Sequence, residues 1–295
     1  MAATISALPA LRPLTSIFGA QVLDIDLSQP PDDRTFAAVE AAFDDHGLLV
    51  FRDQRLTENE HVAFSRRFGV LDTVMLKQYL HPQFPEIFVV SNIVENGRSI
   101  GSNDAGQFWH TDGSHFDVPP RGSLLYAREV PHKDGKVLGD TLFASMYAAY
   151  DSLDTAMKKQ LEPLQAVHGY GERYARRLKV IKSREGTHEE LDRQERDARV
   201  ATHPVIRAHP RTGRKCLYVN AGLTTGIVGL QPKESAELLA ELFAHCVRPE
   251  HVYRHRWRVG DLVMWDNCST QHCAVSDYAL PQRRLMHRTT IRGIA

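Results

Sequence analysis

The chain has no excess of charge of either sign, with 36 lysines and arginines against 36 aspartates and glutamates. Binding to a polyanion rests on clustered positive charge, so this balance speaks against a nucleic-acid partner. No stretch approaches the roughly 18 consecutive apolar residues of a membrane span, and none is expected to cross one. No basic segment precedes an apolar core at the N-terminus, so no secretory signal is expected there. The four cysteines, Cys216, Cys246, Cys268 and Cys273, form no Cys-x-x-Cys pair. Buried, reduced thiols in a cytoplasmic setting follow as the expectation. A repeating strand–helix–strand pattern is also missing, which argues against a parallel sheet wound on both faces.

What the sequence does carry is a series of short strands. Residues 14–28 alternate around Gly19 and predict strands or a hairpin. Pro30-Pro31-Asp32-Asp33 opens a helix with Phe36, Val39 and Phe43 at helical spacing and Gly47 past its end. Leu48–Phe51 has the length of a buried strand. Thr57-Glu58-Asn59-Glu60 is a capping box that starts a second helix. Residues 86–92 predict a strand, while 74–84 and 99–106 read as loops. Those loops bring Lys77, Tyr79, His81 and Asn92 toward the motif that follows. Further strands are predicted over 123–130 and 139–143, then helices near 145–150 and 153–161. His203-Pro204 and His209-Pro210 bracket a strand that Thr212-Gly213 turns back into 215–219. Pro232–Cys246 is the clearest helix, with Leu238, Leu239, Leu242 and Phe243 on one stripe. Strands over 253–258, 261–265, 270–274 and 285–292 close the chain. The pattern predicts a mainly β fold with α, a double-stranded β-helix (jelly roll) core flanked by helices. No linker divides it, so residues 1–295 form one expected domain. The charged stretch 171–200 is either a solvated segment or a lid insertion.

Fifteen histidines exceed what a single site needs, so position has to select among them. In Trp109-His110-Thr111-Asp112, the histidine and the carboxylate are two apart and share one face of an extended strand. They can hold adjacent positions on a metal ion, or they can simply end a polar strand. A third ligand would complete the two-histidine, one-carboxylate triad of non-haem Fe(II) oxygenases. His272, which follows the Asp266-Asn267 turn on a new strand, is the candidate. Asp266 is a second one, although Asp-Asn at a turn more often caps backbone amides. Arg284 and Arg288 are four apart on an extended segment and share a face, while Arg283 points the other way as a surface residue. A guanidinium buried near a metal needs an anionic partner, and a carboxylate matches it in bidentate fashion.

These motifs resemble the taurine dioxygenase and 2,4-dichlorophenoxyacetate dioxygenase family of Fe(II)/2-oxoglutarate enzymes. The resemblance runs from Val50-Phe51-Arg52 through Phe64-Ser65-Arg66-Arg67-Phe68-Gly69 to the C-terminus. It is most specific at Trp109-His110-Thr111-Asp112, at Gly139-Asp140-Thr141, over His209 to Lys215, and from Trp265-Asp266-Asn267 through His272 to Arg288. It implies a dioxygenase whose iron is held by His110, Asp112 and His272. Thr141 and Arg284 would hold the distal carboxylate of 2-oxoglutarate, and Arg288 would meet the substrate's anionic group. Tyr79, His81 and Leu223 are further substrate-contact candidates. The implied cofactors are Fe(II), 2-oxoglutarate as co-substrate, and O2. The implied substrate is a small organic anion of sulfonate, alkyl sulfate or aryloxyalkanoate type. Hydroxylation would give succinate and CO2 and often cleave a C–S or C–O bond. Asp112 speaks against a halogenase, which needs that ligand position open. A homo-oligomer, dimer or tetramer, is the expected assembly.

The chain departs from the taurine branch around the substrate. Leu223 stands where that branch usually has an aromatic, and the loop from Pro131 to Leu138 is longer than the usual two-glycine turn. Two other readings remain at this point: a non-catalytic jelly-roll protein that binds a metal or ligand, and a zinc hydrolase with the same triad.

Overall fold

The computed structural model describes residues 8–73, 77–103, 105–169 and 200–293. Apart from Val200, the stretch 171–200 lies outside the described residues. The architecture mixes helices with a large amount of sheet. Eight strands form the major sheet. Its central members are Leu48–Phe51, Leu262–Asp266, Gly122–Glu129 and Leu285–Ile291, in that order. Phe88–Ser91 pairs antiparallel with Leu285–Ile291. A second sheet has three strands, Val252–His255, Thr141–Ser145 and Thr270–Ala274.

The central strands are apolar without alternation because both of their faces are covered. Leu48 and Val50 join one buried cluster, and Leu49 and Phe51 join another. Val263 and Trp265 go inward while Leu262 and Met264 go outward, and Leu125 and Leu124 divide in the same way. The inner cluster also takes Phe143 of the smaller sheet together with Trp257, so it is where the two sheets meet. The outer cluster buries the helices Asp33–His46 and Glu58–Arg66. Both helices begin as the sequence predicts. Asp32 accepts from the Thr35 amide and Gly47 ends the first helix at φ 66°, a left-handed conformation natural to glycine. Thr57 and Glu60 complete the capping box of the second.

Helix Pro232–Cys246 covers a third unit, in which Gln165–His168 lies between Ala201–Pro204 and Thr224–Ile227. None of these three strands was expected. They contain Pro204, Gly226 and two histidines, so local propensity hides them and tertiary pairing makes them. The region 70–79 also departs from a simple loop. Leu71–Asp72 pairs with the end of Leu285–Ile291, and Lys77–Tyr79 is a 3-10 turn.

Several histidines are packed into this frame without charge. Burial lowers His61 to about 3 and His168 to about 3, and burial with Arg128 nearby lowers His287 to about 4. The unfolded chain therefore takes up protons that the folded protein does not. Stability is complete above the unfolded value near 6.5 and is lost as pH falls toward 4, at about 1.4 kcal/mol per pH unit for each histidine. We expect the melting temperature to fall steadily between about pH 7 and pH 5, and His61→Asn to make that slope shallower. A melting temperature that stays level over this range would contradict neutral burial of these side chains.

Candidate active site

The site is built by a single backbone contact between remote segments. His110 N–H donates to the His272 carbonyl at 3.1 Å, and His272 N–H donates to the His110 carbonyl at 2.8 Å. This isolated antiparallel bridge sets the two imidazoles side by side, ring centres 4.1 Å apart. His272 lies on Thr270–Ala274, opposite Phe143 of the neighbouring strand. Asp112 follows two residues after His110, and its Oδ1 comes to 3.7 Å from His110 Nε2. Beyond it, Gly113 turns at φ 67°, where an added Cβ would lie 2.4 Å from Pro120. Only glycine fits that turn. His110, Asp112 and His272 thus offer ligand atoms that all lie within 4.8 Å of one another. Among the described residues no other group of three such side chains does so.

Protonation suits a metal. Burial lowers His110 despite the opposing pull of Asp112, and burial together with His110 holds His272 well below the usual range. Burial alone would raise Asp112, but Arg288, His272 and His110 outweigh it and keep the carboxyl ionised. Two neutral imidazoles and one carboxylate are the state in which these groups bind a divalent ion. His110 Nδ1 meets the Phe108 carbonyl at 2.8 Å, which leaves Nε2 as its ligand atom, as an outer partner on a metal-binding histidine does. Ser123 Oγ donates to Asp112 Oδ2 at 2.8 Å, and Thr111 Oγ1 donates to the Asn267 carbonyl at 2.7 Å. These bonds fix the motif from both sides. Ser123 carried no signal in the sequence, since any polar residue fits the start of a strand.

The two arginines share a face, as their spacing predicts, and occupy different surroundings. Arg288 sits over the Phe88 ring and donates to Asp112 Oδ1 at 3.1 Å. Arg284 is buried, its Nε has no hydrogen-bond partner, and no carboxylate pairs with it among the described residues. Burial lowers its pKa, with Tyr278 opposing. Such a cation calls for an anionic partner. Its Nε lies 3.3 Å from the position a Cβ would take on Gly139, two residues before Thr141. The missing side chain therefore makes room for the guanidinium. Asn92 braces this corner, accepting from the Arg284 amide and donating to the Gln282 carbonyl, both at 2.8 Å.

Tyr79 is buried edge-on to Phe88, the ring beneath Arg288. Leu223 is buried and follows Gly222, where an added Cβ would meet Phe108 at 2.5 Å and His110 Cβ at 3.0 Å. Both lie beside the iron motif. His81 does not. It packs against His287 and Phe84, and His287 faces Glu58 of the outer helix. Successive side chains of a strand point to opposite faces, so the sheet separates His81 from Arg288 and the triad. Lys77 is exposed. Arg283 pairs with Glu129 at the surface, as expected. Asp266 is a cap: Oδ1 accepts from the amides of Cys268 and Ser269, and Oδ2 meets His209 at 3.0 Å.

Known proteins match this chain over nearly its whole length. Residues 10–290 match the model of the family described as taurine catabolism dioxygenase TauD, TfdA family. Pentalenolactone F synthase of Streptomyces arenae is 37% identical over 274 residues, covering 92% of this chain and 90% of that protein. The alpha-ketoglutarate-dependent 2,4-dichlorophenoxyacetate dioxygenase of Cupriavidus pinatubonensis is 35% identical over 289 residues, covering 95% and 96%. A taurine dioxygenase structure from Burkholderia xenovorans superposes with a TM-score of 0.79 at 29% identity, covering 98% of this chain and 90% of that one. The chain belongs to the TauD/TfdA family of Fe(II)- and 2-oxoglutarate-dependent dioxygenases.

Proposed function

We propose that this dioxygenase hydroxylates a small organic anion of sulfonate, alkyl sulfate or aryloxyalkanoate type, giving succinate and CO2 from 2-oxoglutarate and often releasing a C–S or C–O bond. The observation that carries this reading is a pair of arginines on one face: the buried Arg284, which no carboxylate meets among the described residues, and Arg288, which reaches the Asp112 carboxylate. A reaction joining two anions at one iron needs two such cations. Arg284 and Thr141 hold the distal carboxylate of 2-oxoglutarate, and Arg288 receives the substrate's anionic end. Tyr79 and Leu223 line the substrate's apolar part. His110, Asp112 and His272 hold Fe(II), which when bound supplies the O2 chemistry that no side chain offers.

The work of the chain is then positioning. Fixed hydrogen bonds hold each ligand before the reactants arrive, and burial keeps water from the charges that orient them. Arg288 has two tasks, to neutralise Asp112 and to accept the substrate's anion. We read the two facing sheets as a double-stranded β-helix forming one domain, and expect a cytoplasmic homo-oligomer. A protein that only stored a metal would have no use for a second, unpaired buried guanidinium.

His110→Ala should abolish Mn(II) binding in calorimetry and reduce substrate-dependent succinate formation with Fe(II) to background. Turnover equal to the unaltered protein would overturn the metal assignment. Arg284→Ala removes a charge-assisted contact worth about 1.5 to 3 kcal/mol and should raise the half-saturating 2-oxoglutarate concentration on the order of 10- to 100-fold. Arg288→Ala should instead raise the KM for the organic anion more than that for 2-oxoglutarate. Equal effects of the two variants on both reactants would remove the division of roles.

A further inference from the structure

Behind the proposed carboxylate anchor lies a buried contact that restricts where one hydroxyl proton can point. Thr141 and Trp257 are 3% and 0% exposed. Trp257 Nε1 donates to Thr141 Oγ1 at 3.0 Å. An indole nitrogen can only donate, and a hydroxyl has one proton and two lone pairs. Trp257 therefore fills an acceptor position on Thr141 and leaves the hydroxyl proton to point elsewhere. No acceptor for that proton occurs among the described residues.

We propose that Trp257 is a positioning residue that occupies one of the two lone pairs of Thr141 and so favours its hydroxyl as a donor toward the anchor, which then prefers a carboxylate. The inference rests on the assignment of Thr141 and Arg284 to 2-oxoglutarate. An ionised carboxylate only accepts, and it meets a donor from each side: the guanidinium of Arg284 and the oriented hydroxyl. Without the indole N–H, both lone pairs are free and the hydroxyl accepts more readily, so the anchor distinguishes less well between a carboxylate and an end group that donates. The indole is itself held in place. His255 lies edge-on to it at 4.5 Å and 81°. His255 Nε2 meets Asp261 Oδ2 at 3.1 Å, and the same carboxylate pairs with Arg52 and accepts from the Arg258 amide. Thr141 stands opposite His255 in the sheet register, and Trp257 follows two residues after that strand ends.

The test is a double-mutant cycle read by direct binding, using Mn(II)-loaded protein without O2 and calorimetric titration with 2-oxoglutarate. Trp257→Phe removes the N–H and keeps an aromatic ring, and Thr141→Val removes the hydroxyl and keeps the shape. Each should weaken 2-oxoglutarate about tenfold. The double variant should bind no more weakly than Thr141→Val alone, because the indole acts only through the hydroxyl. Affinity for 2-oxopentanoate, which lacks the distal carboxylate, should stay the same in all variants. If Trp257→Phe does not fold, benzothienylalanine at position 257 replaces N–H by sulfur in a ring of the same shape, and the same tenfold loss is expected. Full affinity in the Trp257 variant with loss in Thr141→Val would overturn this inference and leave the anchor intact. Fully additive losses, or equal loss of 2-oxopentanoate, would reduce Trp257 to packing and overturn it too. Absence of 2-oxoglutarate binding in the unaltered protein would instead overturn the proposed function.

Discussion

Two backbone hydrogen bonds, exchanged between His110 and His272, hold together everything that makes the site chemical. They join chain segments that share no secondary-structure element, and they set the two imidazoles side by side across one bridge. Side-chain contacts alone would leave two mobile ring torsions, each costly to fix. The bridge fixes the backbone first, so only the third ligand needs a turn, and Gly113 provides it. The rest of the frame serves this contact. The smaller sheet presents His272, the capped turn at Asp266 leads into its strand, and Ser123 steadies Asp112 from the larger sheet.

Charge follows from the same burial. Removing imidazoles from water favours their neutral form, and removing a carboxylate favours its protonated form. Left alone, the triad would lose its negative ligand. Arg288, with the two histidines, reverses the outcome at Asp112. The guanidinium that gives the ligand its charge is the same one proposed to meet the substrate's anion. Arg284 solves the opposite problem. No carboxylate pairs with it among the described residues, so its burial costs free energy that an anion placed beside it would offset.

The parts legible in the sequence were those with a local cause. The capping box at Thr57 and the αL glycine at 47 mark helix ends through contacts within a few residues. The strand Leu48–Phe51 showed its two-sided burial as an unbroken apolar run. His110 and Asp112 declared themselves by spacing, and the opposite directions of Arg283 and Arg284 followed from strand alternation. What was not legible depends on partners distant in sequence. Ser123 matters only because Asp112 lies beside it. The strands around Pro204 and Gly226 exist because a third strand pairs between them. His81 looked like a pocket residue because its loop leads toward the motif, but the sheet puts it against His287 on the outer face. Distance along the chain said nothing about which face it would take. Trp257 carried a signal of a general kind, since a buried indole N–H usually finds an acceptor, but only the fold identifies that acceptor as Thr141.

The same distinction explains why the reaction is more readily read than its substrate. The side chains proposed to hold iron and 2-oxoglutarate lie on sheet strands or immediately beside them, where register dictates position. The side chains proposed for the substrate's apolar part have places that depend on neighbouring loops. Leu223 replaces an aromatic that the taurine branch usually carries, which by itself suggests a wider pocket. Yet Gly222 beside it lacks the Cβ that would strike Phe108, and the Phe108 ring centre lies 5.0 Å from that of His110. An aromatic ring thus stands next to the iron motif even though position 223 no longer supplies one. Neither residue states this alone. A glycine reads as a turn, and a phenylalanine before Trp109 reads as a strand residue. Only their contact shows that the wall beside His110 is aromatic and comes from the motif's own segment.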